Sequence, residues 1–359
     1  MMPPQEPSHG GLVCDELRAL GIHEDDVLDF SVNVNPYGPC PEIRRAALDA
    51  RIERYPDPRA RPAAHRIAEW LDVEPERVLV ASGAVDVFWA LANACLAPGD
   101  TVLIAEPAFS EMRAAATFAR ARVVEHRSRS RDDFAFDGDA FGTLLRAETP
   151  RLAYLASPAN PTGILVPADV IRRLAGENPS TQIVADISFL ALGTEPDDEI
   201  VHTSPRVLWV RSFTKELSVP GLRVGIAVGP PALVARLHAA RPPWSVSAAA
   251  QAVAAAAATP EVRTFVAASR ERSRVDRERL TTALRTLRLP VHEGAAPYVL
   301  VDLGPARTGR ALRAALLGRH RILIRDAASF GLPHHVRLAA RPARDVDRLV
   351  TALEKELNR

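Results

Sequence analysis

Along this chain, short apolar runs alternate with longer amphipathic stretches, the order expected of a sheet whose strands are joined by helices. Val78-Leu79-Val80, Val102-Leu103-Ile104-Ala105, Leu152-Ala153-Tyr154-Leu155, Gln182-Ile183-Val184-Ala185, Val207-Leu208-Trp209-Val210 and Ile226-Ala227-Val228-Gly229 read as strands. Helical patterns cover Pro41 to Leu48, Val87 to Leu96, a stretch from Ser110 and another after Gly229. Strand and helix signals alternate from Asp72 to Asp326, which predicts an α/β protein with a mostly parallel sheet. Residues 248 to 287 are Ala-rich, with the Arg/Glu spacing of a long exposed connecting helix. Beyond them the pattern predicts strands within 289 to 302, a helix over 308 to 318, strands Arg321 to Arg325 and Val336 to Leu338, and a last helix from Ala343 to Leu357. The expected division is an N-terminal arm (1–45), a large α/β unit (46–247) and a smaller α+β unit with its connecting helix (248–359).

Composition narrows the class without naming a function. The chain has 359 residues, 47% hydrophobic and 25% charged, with a formal charge of +1, so neither nucleic acid nor a membrane surface is expected as a partner. Cys14, Cys40 and Cys95 are odd in number and form no C-x-x-C pair, which argues against a disulfide framework or a zinc site and fits reduced thiols in a cytoplasm. Residues 1 to 11 lack the apolar core of a signal peptide, and no run approaches a membrane span.

The candidate chemistry starts from one residue. Lysine occurs only at Lys215 and Lys355, while the other 43 of the 45 basic residues are arginine. Lys215 follows the apolar run ending at Val210, just past a strand end, where ligands of open α/β sheets collect. An amine retained there points to chemistry that guanidinium cannot do, because arginine stays protonated and forms no imine. Other segments could assist. Ala81-Ser82-Gly83-Ala84-Val85-Asp86 is a small-residue loop opening a helix, which suits a phosphate. Phe109 follows a strand end and could stack on a flat ring, Asn160 opens an N-P-T-G turn at another strand end, and Asp186 ends the 182–185 run. Taken alone, Asn33 and its neighbours in the arm read as turn caps, and Tyr55 before Pro56 as a packed loop residue.

Ser212-Phe213-Thr214-Lys215 with Arg223 eight residues on resembles the cofactor-lysine segment of fold-type I pyridoxal-phosphate (PLP) enzymes. The likeness extends through His9-Gly10-Gly11, Glu53-Arg54-Tyr55-Pro56-Asp57, Asn160-Pro161-Thr162-Gly163, Pro220-Gly221-Leu222-Arg223, Pro243-Trp244-Ser245-Val246 and Arg321-Ile322-Leu323-Ile324-Arg325. As a whole the chain is similar to the histidinol-phosphate aminotransferase group, and within it to the threonine-phosphate decarboxylase branch of cobalamin biosynthesis. The resemblance implies a three-layer αβα large domain with a smaller α+β domain, and a Schiff base between Lys215 and PLP.

With PLP on Lys215, Asp186 would keep the pyridine nitrogen protonated and Asn160 would donate to the ring oxygen. Arg223, Ser212, Thr214 and the N–H groups of Gly83, Ala84 and Val85 would hold the phosphate, and Phe109 would cover the ring. Arg337, with Arg325 and Arg341 behind it, is the expected clamp for an amino-acid carboxylate. The resemblance further implies a homodimer in which Tyr55 reaches the neighbouring subunit's cofactor phosphate, and places His9 and Asn33 near a substrate phosphate. Three positions depart from the relatives' pattern: Asp186-Ile187-Ser188 replaces Asp-Glu-Ala, Ala84-Val85-Asp86 lacks a common glutamate, and Pro297 replaces an asparagine before Tyr298. Phe189 stands where aminotransferases tend to have tyrosine. The expected reaction is decarboxylation of O-phospho-L-threonine or a related phosphorylated amino acid, with transamination of a histidinol-phosphate-like amine or another amino acid as the alternative.

Overall fold

The computed structural model describes residues 10–194 and 206–358. Its centre is a seven-stranded sheet of β1 (Val78–Ala81), β2 (Thr101–Glu106), β3 (Arg122–Arg127), β4 (Leu152–Ala156), β5 (Gln182–Asp186), β6 (Val207–Arg211) and β7 (Gly225–Val228), in the order β1-β7-β6-β5-β4-β2-β3. Only β7 runs antiparallel to its neighbours. The apolar runs are continuous because both sheet faces are covered. In β6, Val207 and Trp209 enter one core while Leu208 and Val210 enter the other. Helices Arg61–Leu71, Ala168–Glu177 and Ala248–Ala257 contribute to the first core, and Gly83–Cys95, Glu111–Phe118 and Pro231–Ala239 to the second. This is the three-layer arrangement expected from the sequence.

Several elements escaped the pattern. Strand β3 alternates exposed and half-buried residues at the sheet edge, so it presents no apolar run. The connector is two helices, Ala248–Ala257 and Pro260–Thr286, parted at Thr259-Pro260 because proline suits only the first turn of a helix. The first of them packs on Pro41–Leu48 and Arg61–Leu71, within the core of the large unit. The C-terminal core begins with Leu280 and Leu284 of the second helix, so we place the division inside that helix instead of at 247/248.

The C-terminal sheet consists of β8 (Val291–His292), β9 (Tyr298–Asp302), β10 (Arg325–Asp326) and β11 (His335–Ala339), antiparallel in the order β10-β11-β9-β8. The expected strand 321–325 is split: Ile322–Leu323 pairs in parallel with Leu28–Asp29 of the arm, and Arg325–Asp326 joins β11. Phe30 lies in the C-terminal core, which docks the arm and brings residues 31 to 35 across the end of the central sheet. Among the described residues, no helix is long and apolar enough to cross a membrane.

Candidate active site

Lys215 sits on the four-residue helix Phe213–Glu216 directly after β6. The arm fixes this turn: the Asn35 backbone N–H donates to the Lys215 carbonyl (2.9 Å) and the Asn35 side-chain amide to the Glu216 carbonyl (2.9 Å). Burial, reinforced by the positive charges of Arg337 and Arg223, lowers the Lys215 pKa from 10.5 to about 8, against the opposing pull of Asp186. A cavity of about 390 Å³ opens beside it. Its walls come from the carboxyl ends of β4 to β6, the start of helix Gly83–Cys95, the arm and the C-terminal unit. Ligands of open α/β sheets collect at this end.

Asp186, the last residue of β5, reaches the cavity and is 7% exposed. Burial raises its pKa, while hydrogen bonds and the charge of Lys215 act the other way. Tyr154 Oη donates to one carboxylate oxygen (3.1 Å) and the Ser188 backbone N–H to the other (2.9 Å). Tyr154 is fully enclosed, and burial followed by the Asp186 charge pushes its own pKa up. The sequence carried a faint sign of this partner: a hydroxyl-bearing aromatic inside an otherwise aliphatic strand needs a polar contact.

Asn160 and Arg337 meet across the two units. An Arg337 guanidinium N–H donates to Asn160 Oδ1, and another to the Ser31 carbonyl (2.6 Å). Arg337 lies on β11, is 5% exposed, and has an Nε–H without a partner. Burial lowers its pKa to about 10. Tyr298 supports both groups, its hydroxyl donating to the Ala159 carbonyl (2.8 Å) and its ring lying 5.3 Å from the Arg337 guanidinium carbon. Arg325 lines the same cavity, donating to Ser329 Oγ (2.7 Å).

The cavity is also lined by Ala84, Val85, Ser212, Thr214 and Arg223. The Ser212 and Thr214 hydroxyls are 2.6 Å apart. Gly83 has φ +80°, and a Cβ there would lie 2.8 Å from Arg223 Nη2, so the loop needs glycine to sit beneath that guanidinium. Phe109 and Asn33 also line the cavity, and Asn33 Oδ1 is buried without a partner.

Three of the sequence-derived site residues stand apart. Arg341 does not line the cavity; Asp345 (3.0 Å) and the Asp29 carbonyl (3.1 Å) engage its guanidinium, which corrects its assignment to the substrate. Tyr55 is 78% exposed outside the cavity of its own chain and packs against Trp244, with ring centroids 4.7 Å apart. His9 falls outside the described residues. Sequence reasoning missed Tyr154, the Ser31 carbonyl and Ser329, all of which act by holding another site residue.

This donor set fits PLP. A buried carboxylate can hold a pyridine proton, a tethered amide can meet the ring oxygen, and a glycine-backed arginine beside two hydroxyls can take a phosphate. No group of histidine, cysteine, aspartate and glutamate that could hold a metal is found among the described residues.

The family model for aminotransferase class I and II matches residues 25–353. The histidinol-phosphate aminotransferase of Symbiobacterium thermophilum is 33% identical over 362 residues, covering 99% of this chain and 96% of the relative. The L-threonine-O-3-phosphate decarboxylase from Porphyromonas gingivalis is a structural neighbour at TM-score 0.81 and 26% identity, covering 93% of this chain and 100% of the neighbour. The histidinol-phosphate aminotransferase from Sinorhizobium meliloti, solved in complex with pyridoxal-5'-phosphate, has TM-score 0.86 at 22% identity, covers 97% and 95% of the two chains, and shares the fold. With its amine, carboxylate, arginines and hydroxyls converging on one cavity, the chain belongs to the aminotransferase class I and II family and is a PLP-dependent enzyme of the fold-type I architecture.

Proposed function

We propose that this enzyme decarboxylates O-phospho-L-threonine or a closely related phosphorylated amino acid. One observation carries the reading: besides Lys215 and Arg223, the cavity holds two largely buried arginines, Arg325 and Arg337, both from the C-terminal unit. Guanidinium forks match carboxylate and phosphate oxygens, so two of them on one cavity favour a substrate with two anionic ends. A phosphorylated amino acid brings a carboxylate and a phosphate, whereas histidinol phosphate brings only the phosphate. The likeness to the Porphyromonas gingivalis decarboxylase supports the same choice.

The geometry of the cavity supports the following roles. Arg223, Ser212, Thr214 and the N–H groups at residues 83 to 85 hold the cofactor phosphate, and Phe109 covers the ring. Bound PLP supplies a protonated ring that accepts the electron pair left at the substrate Cα when one of its bonds breaks. Asp186 holds the ring proton. Asn160 keeps its amide N–H free to donate, because Arg337 already occupies its oxygen. Arg337 uses its remaining N–H groups on the substrate carboxylate, while Arg325 and Asn33 receive the substrate phosphate. The carboxylate leaves as CO2, and Lys215 delivers the proton that replaces it at Cα. With a pKa of about 8, Lys215 exchanges that proton readily near neutral pH.

Transamination is the second reading, favoured by the 33% identity to a histidinol-phosphate aminotransferase. Lys215 would then remove a proton from Cα while the carboxylate stays in place. The two separate in one assay with O-phospho-L-threonine, with and without 2-oxoglutarate. Decarboxylation predicts CO2 and an amino-alcohol phosphate in equal amounts, independent of the keto acid; glutamate formation without CO2 overturns it.

The reading includes a homodimer in which Tyr55 completes the partner's phosphate site. Exposure of Tyr55, Trp244, Leu48 and Ile52 supports this. Sedimentation at the mass of a single chain, with full cofactor loading, would exclude it.

A further inference from the structure

Two residues past Asp186, Ser188 carries a hydroxyl that nothing in the roles assigned so far uses. Ser188 is 7% exposed and lines the cavity, yet its Oγ is buried without a hydrogen-bond partner. Its own N–H donates to Asp186 Oδ1 (2.9 Å), which holds the serine beside that carboxylate. The neighbouring aromatic, Phe189, lines the same cavity and packs edge-on against Tyr298, with centroids 5.1 Å apart, but has no hydroxyl to contribute. A buried hydroxyl donor needs a partner, and the acceptor within its surroundings that gains most from one is an ionised carboxylate.

We propose that Ser188 is a positioning residue for the ring proton: with cofactor bound, its hydroxyl donates to Asp186 and keeps that carboxylate ionised, so that the proton stays on the pyridine nitrogen. The inference rests on the assignment of Asp186 to that nitrogen. Its physical basis is a competition at one proton. Burial, the largest influence on Asp186, favours the neutral acid, and a neutral acid facing a neutral pyridine would be a poor electron sink. Tyr154 Oη and the Ser188 N–H already oppose burial, with one donor on each oxygen. Each carboxylate oxygen has two lone pairs, so the serine hydroxyl can be added without displacing either donor. The Ser188 side chain lies close enough to contribute to lowering the Asp186 pKa, as does the charge of Lys215. Ser188 therefore offsets, from the protein side, the burial that the apolar strand β5 imposes on its last residue.

The test is nitrogen NMR of holoenzyme loaded with cofactor isotopically labelled at the ring nitrogen, together with the PLP dissociation constant by equilibrium dialysis. Ser188→Ala should move the ring-nitrogen signal toward the neutral pyridine position and raise the PLP Kd about tenfold, the scale of one hydrogen bond to a charged group. Ser188→Thr, which keeps the hydroxyl, should restore the signal. Unchanged signal and Kd in Ser188→Ala overturn the inference, provided that Asp186→Asn shifts the same signal. If Asp186→Asn leaves the signal in place too, the assignment of Asp186 fails and the Ser188 inference falls with it.

Discussion

The depressed pKa of Lys215 predicts that the cofactor-free enzyme gains stability as the solution becomes alkaline. In the unfolded chain the ammonium titrates near its ordinary value of 10.5; in the folded chain burial and two arginines lower this to about 8. Below pH 8 both states are protonated, and the full cost of burying the charge weighs on the fold. Between 8 and 10.5 the unfolded state binds more protons than the folded one, so stability rises with pH across that window and levels off above it. The whole gain is about 3 kcal/mol at most, since each pKa unit corresponds to about 1.4 kcal/mol. Urea unfolding of the apo-enzyme at pH 7 and pH 10 would measure it against Lys215→Met, which lacks the titrating group and removes the background from tyrosines and thiols. The wild type should gain on the variant by about 2 to 3 kcal/mol between those pH values. A difference that stays flat, or falls, would refute the claim that this amine is held against its charged form. The same displacement serves the chemistry: near pH 7 about a tenth of the chains carry Lys215 as a neutral nucleophile, far more than an ordinary lysine supplies.

Other perturbations test the remaining walls of the site. Arg337→Ala should lower kcat/KM for the amino-acid substrate about 100-fold or more, because a buried carboxylate loses its charged partner, and unchanged kinetic constants would remove its assignment. Arg325→Ala should raise KM for a phosphorylated substrate far more than for its unphosphorylated analogue; equal losses for both would argue against a phosphate at that arginine. Gly83→Ala would push a methyl group into Arg223 at a backbone angle that disfavours side chains, so the PLP Kd measured by dialysis should rise about tenfold, and an unaltered Kd would show that the loop does not position the guanidinium.

Much of the chemistry was legible in the chain because it sits where apolar runs stop. Asp186 ends, and Lys215 and Asn160 follow, strands whose composition declares both their type and their end, and a side chain at the end of a parallel strand has few places to go. Lysine's scarcity in an arginine-rich chain marked the amine, and the glycine of the Ser82-Gly83 loop marked the turn that sits beneath Arg223. Strand β3 was not legible, since a half-exposed edge strand carries no uninterrupted apolar signature. Nor was the boundary between the two units, because alanine-rich helix looks alike whether it covers one core or leaves it.

The arginines show where local information ends. Arg325 and Arg341 stand together behind Arg337 in the sequence reading, but only Arg325 joins Arg337 in lining the cavity. Arg341 is captured by Asp345 on the next helix and by a carbonyl of the arm. The sequence by itself determined the layered sheet, the lysine and the acid at its edge, because burial period and strand termini are local properties. The tertiary structure alone decided which arginines line the cavity and brought the Tyr154 hydroxyl to the acid. Those choices depend on the arm joining the C-terminal sheet and on Tyr154 reaching across to β5, contacts between residues far apart in the chain that no local pattern encodes.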